Sequence, residues 1–397
     1  MEPSKGDIQP IPRNPLRFDL LHLFEAHLRA QGGTLHDPEA PGEFFASLGE
    51  PLTTAIGDST LLRGLRAEAL FEALVVSLGQ VDLLKQEDSG RVWTGRGGLK
   101  VADFRIVLQD GTRFLAEVKH FHGGTPDKAF SISPNYLAGL QAYEDAVGCP
   151  VKLAVYWSQW NLWTLVPLTA CKNKGRPSLS LEQAMKTNEM GILGDMLVGT
   201  EFPLRFRIIA DPGAERRLGK NGQVAFTIGG IEMYCRDRLL TKKREQSIAM
   251  WFMLYGPWEE KATAEISGGE LVGVDFIRTP PVDSGQGFEL VGALSSLFST
   301  MYLGSTSDED RVTRLGIQVT SGSLGSMIPG NYKSEALPLW RLHVMPPQAG
   351  SESDLRLRER LVDGVRQSSR DGGYHGACFS VPRRHVRGCA PRTRRAR

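Results

Sequence analysis

The hydrophobic pattern of the chain changes character along its length. Residues 16–30, LRFDLLHLFEAHLRA, place apolar side chains every three or four positions and predict an amphipathic helix. Residues 31–60 are broken by Gly and Pro and predict loop. Residues 136–147 predict a helix. Apolar strands are predicted over 151–157 and 162–166, the second stopped by Pro167. KNKGRPSLS at 172–180 predicts a linker or loop, and 181–197 has helical character interrupted at Gly191 and Gly194. From about 200 the text becomes β-rich: LRFRIIA, QVAFTIG, KATAEIS and LVGVDFI predict strands separated by Gly, Pro and Asp. Residues 289–302, ELVGALSSLFSTMY, predict a helix, and LHVM at 342–345 a last strand.

The most informative stretch is VADFRIVLQDGTRFLAEVKHF, residues 101–121. It predicts a strand, a tight turn at Asp110-Gly111 and a second strand. A two-residue loop would pair Phe104 with Glu117 and send Asp103 and Glu117 to opposite sides of the sheet. A three-residue loop, Gln109 to Gly111 with Gly111 left-handed, pairs Leu108 with Thr112. That register gathers Phe104, Ile106, Leu108, Phe114, Ala116 and Val118 on one apolar face. Asp103, Arg105, Glu117 and Lys119 fall on the other. A slip of one residue would mix the two sets, so the pattern selects the three-residue loop. Asp103 and Glu117 are then cross-strand neighbours, with Cβ atoms roughly 4.5–5.5 Å apart. Two carboxylates that close repel unless a cation or a proton joins them.

Asp103 followed by Glu117-x-Lys119 on such a hairpin resembles the PD-(D/E)XK nuclease superfamily. Ala102 stands where the Pro of the family name would be. Upstream, Phe71-Glu72-Ala73-Leu74-Val75 resembles the first core helix of restriction-type nucleases. The resemblance implies that Glu72 completes a metal site, with Glu68, one turn earlier, as the alternative. It also implies an α/β, restriction-endonuclease-like core, a mixed sheet flanked by helices. The catalytic residues would be Asp103, Glu117 and Lys119. Asp103, Glu117 and the backbone carbonyl of Val118 would hold Mg²⁺ or Mn²⁺. Carboxylate oxygens are hard ligands suited to such ions. Lys119, two residues from Glu117, projects from the same face and can act on a water or on developing phosphate charge. The match covers roughly residues 60–170.

Other residues carry weaker signals. His120 and His122 are expected as solvated loop residues, with substrate contact or pH response as the alternative. Arg91, Arg96 and Lys100 precede Asp103 in a Gly-rich loop and either contact phosphates or are simply solvated. Gln141 and Tyr143 are spaced Gln-x-Tyr, not the Gln-x-x-x-Tyr of the exonuclease-like branch, so Tyr143 is expected to pack. Trp157, Trp160 and Trp163 are expected in the core or an interface.

At 397 residues, two domains plus tails are expected. The division predicted is a helical and loop extension over 1–59, a nuclease-like domain over 60–199, a mixed α/β accessory domain over 200–346, and a basic, disordered tail over 347–397. The net charge of +2 hides an asymmetry: residues 351–397 hold twelve Arg against five acids, leaving the first 350 with a balance of −5. Nucleic-acid attraction must then come from a local patch, the tail or bound cations. The tail's His375-x-x-Cys378 and His385-x-x-x-Cys389 match no zinc module, and chance accounts for them. Five scattered cysteines, no run of 18 apolar residues and a polar, Pro-rich start predict a cytoplasmic protein without a membrane span.

The function expected is hydrolysis of DNA phosphodiester bonds. The resemblance implies defence against foreign DNA, or recombination and repair, as the setting. The expected partner is nucleic acid, with a homodimer through the accessory domain. RNA cleavage, or a scaffold that keeps the fold without the chemistry, are the alternatives.

Overall fold

The computed structural model describes residues 8–9, 15–89, 92–95, 97–171, 176–218, 223–308 and 311–344. Arg91, Arg96 and the basic tail with its His and Cys residues lie outside the described residues.

Three helices come first: α1 (Pro15–Gln31), α2 (Ala40–Gly57) and α3 (Ser59–Leu78). Helix α2 occupies most of the stretch predicted as loop. Pro41 falls in its first turn, where a missing N–H costs nothing, and Ala40 and Phe44 bury its inner side. Packing thereby overrides the Gly and Pro signals that argued against a helix. Helix α3 starts at Asp58, whose carboxylate accepts the N–H groups of Thr60 and Leu61. It stops at Gly79, left-handed at φ 80°.

Strands β1 (Val81–Gln86), β2 (Phe104–Leu108) and β3 (Arg113–Phe121) follow, then a short β4 (Phe130–Ser131) and helix α4 (Pro134–Val147). Strands β5 (Val151–Trp157) and β6 (Leu162–Pro167) lie where the apolar runs predicted them. The sheet order is β1-β2-β3-β5-β6, with β3 and β5 parallel and the other neighbours antiparallel. It is therefore a mixed sheet, and β3 is its centre. Helix α3 packs on the apolar face of the hairpin. The second face, predicted to be polar, is covered as well. There Leu115, Val151, Leu153 and Val155 pack with Leu137 and Leu140 of α4. Glu117 and Lys119 are consequently held between sheet and helix.

Past β6, a short β7 (Ser178–Leu179) pairs with β4, and α5 (Leu181–Lys186) begins with a capping box at Ser180 and Gln183. The predicted helical stretch ends there. A 3-10 turn over Met190–Leu193 leads into β8 (Leu197–Thr200). Strands β9 (Leu204–Ala210), β10 (Arg216–Leu218), β11 (Val224–Phe226), β12 (Ile228–Cys235) and β13 (Arg238–Leu239) come next. Helix α6 (Lys243–Tyr255), not predicted from the sequence, precedes β14 (Glu259–Ser267) and β15 (Glu270–Thr279). Five of these strands build an antiparallel sheet ordered β13-β12-β9-β15-β14, and β10 pairs with β11 apart from it.

The predicted helix over 289–302 is instead strand β16 (Glu289–Ala293) and helix α7 (Leu294–Thr306). Pairing with β8, bulged beside Gly292 at φ 145°, pulls the first residues into a sheet. A small ribbon, β17 (Ser307–Asp308) and β18 (Arg311–Val312), precedes α8 (Ser323–Met327). The last strand is β19 (Leu339–Leu342), earlier than predicted, on the other side of β8.

One apolar core joins the two halves. It runs from Phe71 and Trp163 through Val198 and Phe252 to Phe298 and Tyr302. Trp163 Nε1 donates to Ser299 Oγ at 3.0 Å. The Arg66 guanidinium donates to Leu303 O at 3.2 Å, Thr306 Oγ1 at 2.7 Å and Ser307 Oγ at 2.5 Å, closing the C-terminal end of α7. Described residues of the region expected as an accessory domain, 200–346, thus contribute to the same apolar core as residues of the region 60–199. Among the described residues no helix is long and apolar enough to cross a membrane.

Candidate active site

The register of the hairpin is the one its apolar pattern selects. Ile106 faces Phe114 and Phe104 faces Ala116. Leu108 N–H donates to Thr112 O at 2.8 Å, Gly111 N–H to Leu108 O at 2.9 Å, and Gly111 takes φ 86°. One step past Phe104 and Ala116, Asp103 stands opposite Glu117. The two strands part here. The Val118 N–H, which would continue the ladder, instead donates to Asp103 Oδ2 at 2.6 Å. In an extended strand a residue's N–H and C=O point to the same side. The Val118 carbonyl therefore faces the side on which Asp103 lies.

Glu117 is 1% exposed. Its Oε1 accepts from Lys119 Nζ and from the phenol of Tyr136, in the first turn of α4. Its Oε2 is buried with no hydrogen-bond partner. Lys119 also donates to Tyr136 Oη at 3.2 Å and lies 4.8 Å from the centre of that ring. Tyr136 is not singled out by the sequence pattern. The signal available was Ser133-Pro134, a cap and first-turn pair that puts residue 136 at the start of a helix. The crossover from β3 to β5 then lays that helix over Glu117.

The electrostatics follow from this crowding. Burial, and then the charge of Glu117, push Asp103 up to about 8, against the lowering effects of Val118 N–H and Lys119. Burial disfavours the Lys119 ammonium, but the carboxylate of Glu117 outweighs it and holds Lys119 above its ordinary value. Burial and Glu117 push the Tyr136 phenol up to about 12. Each group therefore keeps its proton at neutral pH, and the site holds protons where a cation would be welcome.

Of the two helix carboxylates, Glu68 is the one whose charge is felt at the pair. It raises Asp103, and is itself raised by burial, by Asp88 and by Glu117, while Lys119 lowers it. Glu72, one turn on, is exposed, and its charge acts on Tyr302 of α7. Among the described residues no three His, Cys, Asp or Glu side chains form a ready metal cluster. The donor set on offer is thus two carboxylates and a backbone carbonyl. The orphaned Glu117 Oε2 and the proton-loaded Asp103 fit a hard divalent cation, which would satisfy the one and displace the proton of the other.

The remaining sequence candidates sort by position. His120 belongs to β3 and is half-buried against Tyr156, at 6.0 Å between ring centres. His122 is exposed, and its Nδ1 meets Ser158 Oγ at 3.1 Å. His120 departs from the solvated loop residue expected, because β3 runs on to Phe121 beside β5. Trp157 and Trp163 are core residues at 2% exposure. Trp160 is half-buried. Tyr143, also buried, donates to Glu87 Oε1 at 2.7 Å, which accepts from Arg105 at 2.5 Å as well.

No protein-family model matches the chain, and no curated protein matches it. Among solved structures it is similar to a Holliday junction resolvase from the archaeal hyperthermophile Archaeoglobus fulgidus. The identity is 12% and the TM-score 0.21, over 26% of this chain and 82% of the resolvase.

Proposed function

We propose that the chain is a metal-dependent phosphodiesterase that hydrolyses DNA, with Asp103, Glu117 and Lys119 as its catalytic residues. The observation that carries the reading is the parting of β2 and β3 at Asp103. It sets a buried carboxylate, Glu117, opposite a half-buried one, Asp103, with a lysine bound to the first. An arrangement that keeps Asp103 protonated near neutral pH is a poor way to stabilise a hairpin and a good way to await a cation.

Asp103, Glu117 and the Val118 carbonyl would hold Mg²⁺ or Mn²⁺. The ion would supply Lewis-acid polarisation of the phosphate and a more acidic water. The residues do the rest. In the metal-free site Glu117 holds Lys119 as a cation, which suits it to orient the attacking water and offset charge developing on the phosphoryl oxygens. Tyr136 fixes both partners by donating to Glu117 and accepting from Lys119. Glu68 adds negative potential from α3. Glu72, implied as a ligand by the resemblance, lies one turn further along α3 and is exposed. Defence against foreign DNA, or recombination and repair, is the setting that the resemblance suggests.

The test is incubation of the full chain with supercoiled plasmid, linear duplex, single-stranded DNA and RNA in Mg²⁺, Mn²⁺ or EDTA, beside Asp103→Asn and Lys119→Ala. Cleavage of DNA that needs the metal and both residues supports the reading. Cleavage of RNA alone moves the substrate class. No cleavage, or equal rates in the variants, overturns it.

A further inference from the structure

Lys100 lies three residues before Asp103 in the segment that approaches the site, and it is exposed. Its backbone N–H donates to Gly139 O of α4 at 3.1 Å. A Cβ at residue 139 would fall 2.5 Å from Gly98 O and 2.6 Å from Lys100 Cγ, so the crossing needs glycine at that point. The contact carries the Lys100 ammonium to 5.9 Å from the centre of the Tyr136 ring, the same ring that Lys119 meets at 4.8 Å. Lys119 is neutralised by Glu117, whereas among the described residues no carboxylate pairs with Lys100. The ring's negative face restrains an ammonium without cancelling its charge. A lysine is thus positioned over the ring that also contacts Lys119 and Glu117, with its charge uncommitted.

We propose that Lys100, held over Tyr136, forms a subsite for a backbone phosphate of the DNA strand next to the one being cut. The subsite rests on the nuclease reading and adds a positioning role to it. Phosphate contacts fix the register of a strand without reading its bases. A phosphate here would sit at the mouth of the site, with Lys119 inside it, and would hold the neighbouring linkage against Asp103 and Glu117. The body of the protein has a slight acidic excess, so a placed cation contributes more than a diffuse field could.

The experiment is steady-state cleavage of labelled DNA by the full chain in Mg²⁺ at 50–200 mM salt, with Lys100→Gln, Lys100→Arg, Tyr136→Phe and Tyr136→Leu. Lys100→Gln is expected to raise KM several-fold with kcat within about twofold. The slope of log kcat/KM against log salt should become shallower by about 0.9 for duplex or 0.7 for single strands, one phosphate contact's share. Lys100→Arg should restore both. Tyr136→Phe keeps the ring and should keep KM, while Tyr136→Leu should raise it, whatever either does to kcat. An unchanged KM and salt slope in Lys100→Gln, or a loss confined to kcat, overturns the subsite. Fluorescence anisotropy with the same DNA in EDTA separates the two levels. If the wild type cuts nothing yet binds DNA, and Lys100→Gln lowers the salt slope, the nuclease reading and the positioning role fall while the phosphate contact of Lys100 stands. If the wild type neither cuts nor binds, both fall.

Discussion

Replacing Asp103 by Asn should stabilise the metal-free protein, and the gain should grow with pH. The wild-type carboxyl is pushed from 3.8 to about 8 by burial and by Glu117. A carboxyl whose folded pKa lies above its unfolded value contributes stability that is fully present below pH 3.8. That stability is lost as pH rises towards 8, because the unfolded chain gives up its proton while the folded site keeps it. Each pH unit in this window costs up to about 1.4 kcal/mol, an upper limit of roughly 5–6 kcal/mol. The pair can relax and water can reach its edge, so about 2–4 kcal/mol at pH 8 is the expected size. Asn has the shape of the protonated acid and keeps an oxygen for the Val118 N–H, yet carries no such dependence.

The assay is urea denaturation of wild type and Asp103→Asn in EDTA at half-unit steps from pH 4.5 to 9. Taking the difference between the two cancels the titrating groups that do not feel Asp103. The gap should be near zero at the acid end, widen through neutrality and level off above pH 8. Adding Mg²⁺ should stabilise the wild type above pH 7 and leave the variant unmoved. A gap of either sign that does not change with pH would mean a packing effect. A wild type more stable than Asp103→Asn at pH 8 in EDTA would refute the account of a repelling, buried pair.

The other expectations concern single contacts. Lys119→Ala should abolish turnover while keeping Mg²⁺ binding by calorimetry. It is not structurally silent: Glu117 keeps only the Tyr136 phenol, and loss of its cation should cost about 2–4 kcal/mol in EDTA. Gly111→Ala meets open space, so the whole cost is the left-handed backbone, roughly 1–2 kcal/mol in a urea midpoint. Arg66→Ala strips the end of α7 of its donors and should lose about 1–3 kcal/mol, read in parallel by near-UV and far-UV circular dichroism.

The hairpin was legible because two independent local signals agreed. Gly111 sets the turn, and the alternation from Phe104 to Val118 permits a single register with one apolar face. What alternation could not tell was that the polar side would also be covered. Leu115 is the residue that betrays it: it shares the face of Glu117, yet it is fully buried under α4. Tyr136 was hidden for the same reason, since its meaning depends on a parallel crossover and not on its neighbours in sequence. Errors elsewhere share that cause. Residues 289–293 have a helical pattern but are claimed by β8, and α2 survives its prolines through Phe44. Glu68 and Glu72 could not be separated from sequence, because a single turn of helix decides which carboxylate's charge reaches Asp103.

That last ambiguity shows what the second half of the chain contributes. Helix α3 is gripped on two sides, by the sheet through Phe71 and by α7 and α8 through Arg66 and the shared core. Arg66 bonds residues about 240 positions away, and Glu68 sits two residues further along the same helix. Asn161, at the turn between β5 and β6, donates to Ser296 O and Thr300 Oγ1 and ties the far edge of the sheet to the same helix α7. A rotation of α3 about its axis would carry Glu68 away from Asp103. Contacts that resist it come from β3 of the sheet, from α8 and, through Arg66, from the C-terminal end of α7. The hairpin supplies two carboxylates and a lysine and α4 covers them, while the helix that carries Glu68 and Glu72 is held in part by a segment of the chain that supplies none of the candidate residues.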